Sequence, residues 1–205
     1  MDDNKSLSSN QTKKKELRSK IKNLKKNINL QDKKIAEVKI FDFIKTWSLF
    51  KNSQNIAIYH STPEELDTTN IIKEILTLEK NCYLPIINKN NNYFEFYKYS
   101  PNIKLIPNKY KILEPEVILK NKINIEKLDI IFIPMVAFTS SRKRLGMGGG
   151  YYDKTLKSLL IHKQNSNTSN PILIGLAFEF QKLDFIPFEP WDINLDIIVT
   201  ENNIY

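Results

Sequence analysis

Four of the five glycines in this 205-residue chain fall between Gly146 and Gly150. A glycine-poor sequence that concentrates them in this way requires main-chain geometry that other residues supply badly. Glycine accepts positive φ and lets a ligand approach the backbone closely, at a cost in chain entropy. The cluster follows an apolar run that ends at Phe138 and precedes a helical pattern starting at Tyr151. Two of the three arginines, Arg142 and Arg144, stand just before it. A strand, a glycine turn and a helix in succession belong to an α/β fold. Bare N–H groups, a helix dipole and guanidinium donors at one turn are what a phosphate group needs.

The rest of the chain agrees with that class. Apolar periodicity predicts a basic amphipathic helix over 12–29, with Leu17, Ile21, Leu24 and Ile28 as its stripe. Lys14 and Arg18, four apart, share a neighbouring face. A second helix is expected over 31–50, with Ile35, Val38, Phe41, Ile44 and Trp47 facing the core, and a third over 68–80. Short strands are expected at 55–60, 82–87, 93–99, 172–178 and 196–200. The nearly continuous apolar run 129–136 reads as a buried parallel strand. Pro101, Pro107 and Pro115 leave 100–127 without an assigned element. Residues 163–170 read as a polar surface loop, and 1–11 as a disordered start to a single domain over 12–205. Strands alternating with helices imply a mainly parallel sheet.

Composition bounds the function. Apolar residues make up 41% and charged residues 26%, as in ordinary soluble proteins, and no apolar stretch is long enough to span a bilayer. Met1–Asn10 is polar and partly acidic, unlike a secretory signal, and Cys82 stands alone, so a reducing, cytoplasmic setting is expected without a membrane partner. The net charge of +8 is concentrated in residues 1–39, which carry +7, and lysines supply nearly all of it. Most of these lysines are expected to be solvated surface.

Standard nucleotide signatures are missing: there is no G-x-x-x-x-G-K-[ST] run, and the glycine spacing G-x-G-G-G fails the dinucleotide pattern. The two histidines, His60 and His162, do not form a metal cluster with Cys82 by spacing. The run Arg144-Leu-Gly-Met-Gly-Gly-Gly-Tyr-Tyr-Asp-Lys-Thr-Leu156, after Pro134-Met-Val-Ala-Phe138, resembles the signature of the 5-formyltetrahydrofolate cyclo-ligase family. Lys14-Lys-Glu-Leu-Arg18, Glu65-Leu-Asp-Thr68, Tyr83-Leu-Pro85, Gly175-Leu-Ala-Phe178 and Trp191-Asp192 resemble further family segments in the right order.

The resemblance implies a three-layer α/β/α domain with a mostly parallel central sheet and an N-terminal basic helix. It implies ATP-dependent closure of 5-formyltetrahydrofolate to the 5,10-methenyl form, with release of ADP and phosphate, by a monomer that binds no nucleic acid. Lys14, Lys15, Glu16, Leu17 and Arg18, with Arg144, Leu145, Gly146, Met147, Gly148, Gly149, Gly150, Tyr151 and Tyr152, are then expected at ATP. Arg144 and Tyr152 are expected to act on the reacting group. His60, Glu65 and the stretch Met147–Tyr151 are expected at folate, and Asp153 and Asp192 at Mg2+. Surrounding lysines are expected to attract a polyglutamate tail on the substrate. Thr139 and Arg142 depart from the family pattern, which commonly has Asp and Gly there, and this questions the shape of the turn before Arg144. Two alternatives stay open on the residues: a nucleic-acid module built from the basic helix and the aromatics of 93–99, and a relative that has kept the fold without efficient turnover.

Overall fold

The computed structural model describes residues 9–88, 90–163 and 171–205. Of the expected loop 163–170, all but Lys163 lies outside these residues, as does the expected disordered start up to residue 8. Helix α1 (Ser9–Asn27) begins three residues before its expected start, so Ser9, Asn10 and Gln11 are helical rather than disordered. Helices α2 (Leu30–Thr46), α3 (Ser48–Asn52), α4 (Thr69–Thr77) and α5 (Tyr151–Lys163) follow.

The strands are β1 (Asn55–Ala57), β2 (Asn81–Ile87), β3 (Phe94–Tyr99), β4 (Leu105–Pro107), β5 (Leu113–Pro115), β6 (Lys122–Ile123), β7 (Ile130–Pro134), β8 (Ala137–Phe138), β9 (Arg144–Leu145), β10 (Ile172–Leu176) and β11 (Ile197–Val199). Seven of them form one sheet in the order β11-β10-β7-β1-β2-β3-β6. The five strands from β11 to β2 are parallel, and β3 and β6 continue the sheet antiparallel.

Strand β7 shows why the sheet is buried on both sides. Side chains alternate along a strand, so Ile130 and Phe132 join the core under α2, α3 and α4, while Ile131 and Ile133 join the core under α5. Helices therefore cover both faces, giving the expected three layers. Gly175 sits in β10 without strain, but a Cβ there would lie 2.0 Å from Met135 Cε, so the position serves close packing.

Helix α2 departs from its expected register. Its buried positions are Ala36, Glu37, Ile40 and Ile44, whereas Ile35 and Val38 are 48% and 41% exposed. The polar Glu37 is buried because its carboxylate accepts a bond from Asp67 N at 3.2 Å and pairs with Lys33. The expected single helix over 31–50 also breaks at Trp47, which is extended. Thr46 Oγ1 donates to the carbonyls of Asp42 and Phe43 in that last turn, a local bond that competes with helix continuation.

Helix α1 belongs to neither covering layer. Ile21 is fully buried against Val136, Ala137, Leu145 and Ile186, with Leu17 packed beside it. Burying such a side chain contributes about 2 kcal/mol. This docks α1 on the β8–β9 hairpin, at the end of the sheet where the strand β7 emerges.

Candidate active site

From β1 the chain proceeds to β2 on one side, whereas β7, β10 and β11 lie on the other. Strand order thus reverses between β1 and β7, and the crevice beyond the carboxyl ends of such strands is where open α/β sheets take ligands. Tyr59 and His60 follow β1, and Pro134 ends β7; all three line a cavity of about 550 Å3 at that place. Lys14 and Arg18 of α1, the glycine loop and the first turn of α5 form one side of it. Thr62, Glu65 and the β4–β5 hairpin form the other.

The glycine loop has a geometry that can receive an anion. Gly148 and Gly150 have φ of +103° and +66°, the region that favours glycine. Among the described residues, the N–H groups of Met147, Gly148, Gly149 and Gly150 have no hydrogen-bond acceptor. The first N–H groups of α5 add the orphan donors of a helix start. Arg18 lies over this loop: Nε donates to Gly146 O at 2.8 Å, and its guanidinium carbon is 3.5 Å from where a Cβ on Gly148 would stand. Burial lowers the Arg18 pKa from its ordinary value and Asp192 opposes the change, so the group stays cationic at neutral pH.

Two carboxylates are held beside it. Arg144 is 7% exposed; Nη2 reaches Asp153 Oδ1 at 2.7 Å and Nη1 donates to Ile193 O at 2.6 Å. Lys14 Nζ meets Asp192 Oδ2 at 2.6 Å, and that same oxygen accepts from Glu189 N at 2.9 Å. Asp153 Oδ2 and Asp192 Oδ1 are left without a partner among the described residues. Both carboxylates line the cavity, each offering one free hard oxygen.

The opposite end is mixed in character. Glu65 Oε2 accepts from Thr62 N and Oγ1 at 2.8 and 3.0 Å, which fixes the carboxylate in the wall. Phe94 stands 4.8 Å, ring to ring, from Tyr152 and 5.3 Å from Tyr151. Burial, then the nearby Glu65 charge, raises the Tyr152 phenol far above its ordinary value, and Arg144 only partly offsets this. Tyr152 is therefore a neutral hydroxyl at any physiological pH. The Tyr110 and Tyr151 hydroxyls meet at 2.9 Å and bridge the β4–β5 hairpin to α5.

The structure gathers Lys14, Arg18, His60, Glu65, Arg144, Leu145, Gly146–Gly150, Tyr151, Tyr152, Asp153 and Asp192 around this one cavity. Lys15, Glu16 and Leu17 do not line it. A helix that presents residues 14 and 18 turns 15 and 16 away, and both are exposed, while Leu17 packs under the helix. Arg142 is exposed, outside the cavity, in the turn between β8 and β9. Its φ of +64° shows that the turn keeps a left-handed residue even though glycine is absent, and Arg142 N still bonds Thr139 O at 2.9 Å.

Sequence reading missed the hairpin, which brings Asn108, Tyr110, Ile112, Leu113 and Glu114 to the cavity. The available signal was Asn108, whose Oδ1 accepts from Tyr110 N and Ile112 N and so makes the turn. Of the aromatics in 93–99 on which the nucleic-acid alternative rests, Phe96 and Tyr97 are 2% and 3% exposed and Phe94 is packed on the site tyrosines, while Tyr93 and Tyr99 are half-buried. No helix among the described residues is long and apolar enough to cross a membrane.

A model of the 5-formyltetrahydrofolate cyclo-ligase family matches residues 10–201. The chain is 33% identical over 192 residues to the 5-formyltetrahydrofolate cyclo-ligase of Haemophilus influenzae, covering 93% of this chain and 99% of that one. It is 32% identical over 154 residues to the enzyme of the same name from Escherichia coli K12, covering 75% of this chain and 81% of that one. The solved structure of Aquifex aeolicus 5,10-methenyltetrahydrofolate synthetase superposes with a TM-score of 0.77 at 32% identity, over 93% of this chain and 91% of that one. With the fold, the glycine loop and the matched length in agreement, the chain belongs to the 5-formyltetrahydrofolate cyclo-ligase family of enzymes.

Proposed function

We propose that the cavity carries out ATP-dependent closure of 5-formyltetrahydrofolate to 5,10-methenyltetrahydrofolate, releasing ADP and phosphate. The observation that carries this reading is the unbonded N–H run Met147–Gly150 facing Arg18, Arg144 and Lys14 in one cavity with an aromatic and carboxylate-bearing far wall.

The chemistry follows from the substrate. A formamide oxygen is a poor leaving group, and transfer of the γ-phosphoryl group to it makes it leave as phosphate. Nitrogen 10 of the folate then attacks the activated carbon, so both nucleophiles come from the substrate and no covalent enzyme residue is required. Such a reaction asks the protein for positioning and charge stabilisation. The glycine N–H groups and Arg18 would hold the phosphates, and Arg144 would meet the charge that develops on the transferred group. Tyr152, kept neutral by its surroundings, would donate a hydrogen bond to an oxygen at the reacting centre. Glu65, with His60 nearby, would accept from the N–H edge of the pterin.

The residues also fit Mg2+. That ion takes one or two carboxylates, keeps waters and bridges phosphates, and Asp153 and Asp192 each have a free oxygen beside the phosphate end. When bound it would neutralise phosphate charge. Every group in this account comes from one chain, so the reading needs no second copy.

The test is spectrophotometric. Purified protein with 5-formyltetrahydrofolate and MgATP should give the near-ultraviolet absorbance of the methenyl product, and omission of ATP should abolish it. A folded protein that binds ATP and leaves the trace flat would favour a relative without efficient turnover.

A further inference from the structure

We infer that Trp191 is the stacking platform for the adenine of ATP, an inference that rests on the ATP reading above. Three observations lead to it. The cavity, at about 550 Å3, is the size that holds one drug-sized ligand. A nucleotide and a folate are two such ligands, so the open rim is available to a non-reacting end.

The structure also marks the direction that the nucleotide takes. Arg18, Lys14 and Asn10 succeed one another along one face of α1, about 6 Å apart. Arg18 lies over the glycine loop, Lys14 holds Asp192, and Asn10 Nδ2 donates to Glu189 Oε1 at 3.0 Å. This line runs from the phosphate cradle outward to the Glu189–Asp192 turn. A nucleoside triphosphate has the same polarity, with phosphates at one end and the base at the other.

That turn is rigid and carries an unused indole. Asp192 N bonds Glu189 O at 2.9 Å, and Pro190 at the second position fixes φ there. Trp191 occupies the third position and is 64% exposed. Nearby rings already have partners: Lys13 lies over Phe185 at 5.4 Å and Lys143 over Phe188 at 5.1 Å. Trp191 has no ring, cation or hydrogen-bond partner among the described residues. An exposed tryptophan next to Asp192, a carboxylate of the cavity wall, has a flat apolar face ready for a purine.

The chain has two tryptophans, so Trp47→Phe leaves Trp191 as the sole indole reporter. Trp47 packs on Phe43 beside the core under α2, away from the cavity lining. In W47F, MgATP should quench the fluorescence, and magnesium tripolyphosphate should leave it unchanged. Removing a stacked base partner costs roughly five- to 150-fold in affinity, so W191A should raise KM for ATP about tenfold or more. W191F should restore most of that loss, and KM for the folate should stay as in the parent. An unchanged KM for ATP in W191A, or equal quenching by tripolyphosphate, would overturn the platform. Calorimetric titration of W47F separates the two failures. ATP binding with a silent Trp191 refutes only this inference, whereas absence of ATP binding refutes the ATP reading and the platform together.

Discussion

Replacing Arg144 by lysine tests the geometry of the site most sharply. The guanidinium makes two bonds at once, to Asp153 Oδ1 at 2.7 Å and to Ile193 O at 2.6 Å, with its side chain only 4% exposed. Lysine keeps the charge and loses the fork, so one of the two bonds goes. A hydrogen bond to a charged group contributes about 1.5–3 kcal/mol, and for a chain of this length each kcal/mol shifts Tm by about 2–4 °C. R144K should therefore lower Tm by about 3–12 °C while remaining folded at 25 °C. If Arg144 also meets the transferred phosphoryl group, kcat/KM in the ATP-dependent absorbance assay should fall about 100-fold, the cost of removing one aligned donor at developing charge. A variant with the lowered Tm and kcat/KM within about threefold of the parent would make Arg144 a purely structural residue and refute the assigned role. Arginine to alanine is the poorer experiment. It removes the cation beside Asp153 and strands Ile193 O, and breaking a buried pair costs about 3–5 kcal/mol, which would mix unfolding with lost chemistry.

Two further predictions use groups outside the chemistry. Arg142 holds φ at +64° in the β8–β9 turn, a conformation that costs a non-glycine residue about 1 kcal/mol; Arg142→Gly should raise Tm by about 2–4 °C and leave turnover unchanged, and a lower Tm would show that the side chain contributes a contact. Burial pushes the Cys82 thiol up to about 12, so between the ordinary thiol range and that value the unfolded chain gives up a proton that the folded chain retains. Stability from this group is complete at lower pH and is lost as pH rises through that window. Denaturation midpoints measured in the parent and in Cys82→Ala should diverge in pH dependence above about pH 9, and parallel curves would refute the assignment.

The parts of the fold legible in the sequence are those fixed by local pattern. The run 129–136 announces β7 because a strand buried on both faces has no polar position, and the glycine loop announces itself because positive φ is a local demand. The α2 register was not legible, because Glu37 is buried by a partner 30 residues away, Asp67 N, and no periodicity rule anticipates a buried carboxylate. The β4–β5 hairpin was missed for a related reason. Its strands are three residues long, each ending in proline, and its turn is made by one asparagine side chain. At the site, the motif residues and the cations of α1 could be named from resemblance. The apolar wall of Pro85, Ile87 and Phe94 could not, since those residues meet the loop only through sheet pairing and the packing of α5.

The attachment of α1 has a consequence for the birth of the protein on the ribosome. Lys14 meets Asp192 across 178 positions of sequence, Asn10 meets Glu189 across 179, and Arg18 meets Gly146 across 128. Synthesis proceeds from the N-terminus, so α1 is made well before the polar partners that hold it. Until residue 192 clears the exit tunnel, the nascent chain holds its lysines and arginine without the groups that aim them, and the proposed nucleotide cradle remains unassembled. The proposed cradle would thus be assembled only once residue 192 is free to meet α1, and a chain stalled before that point would carry an unfinished site.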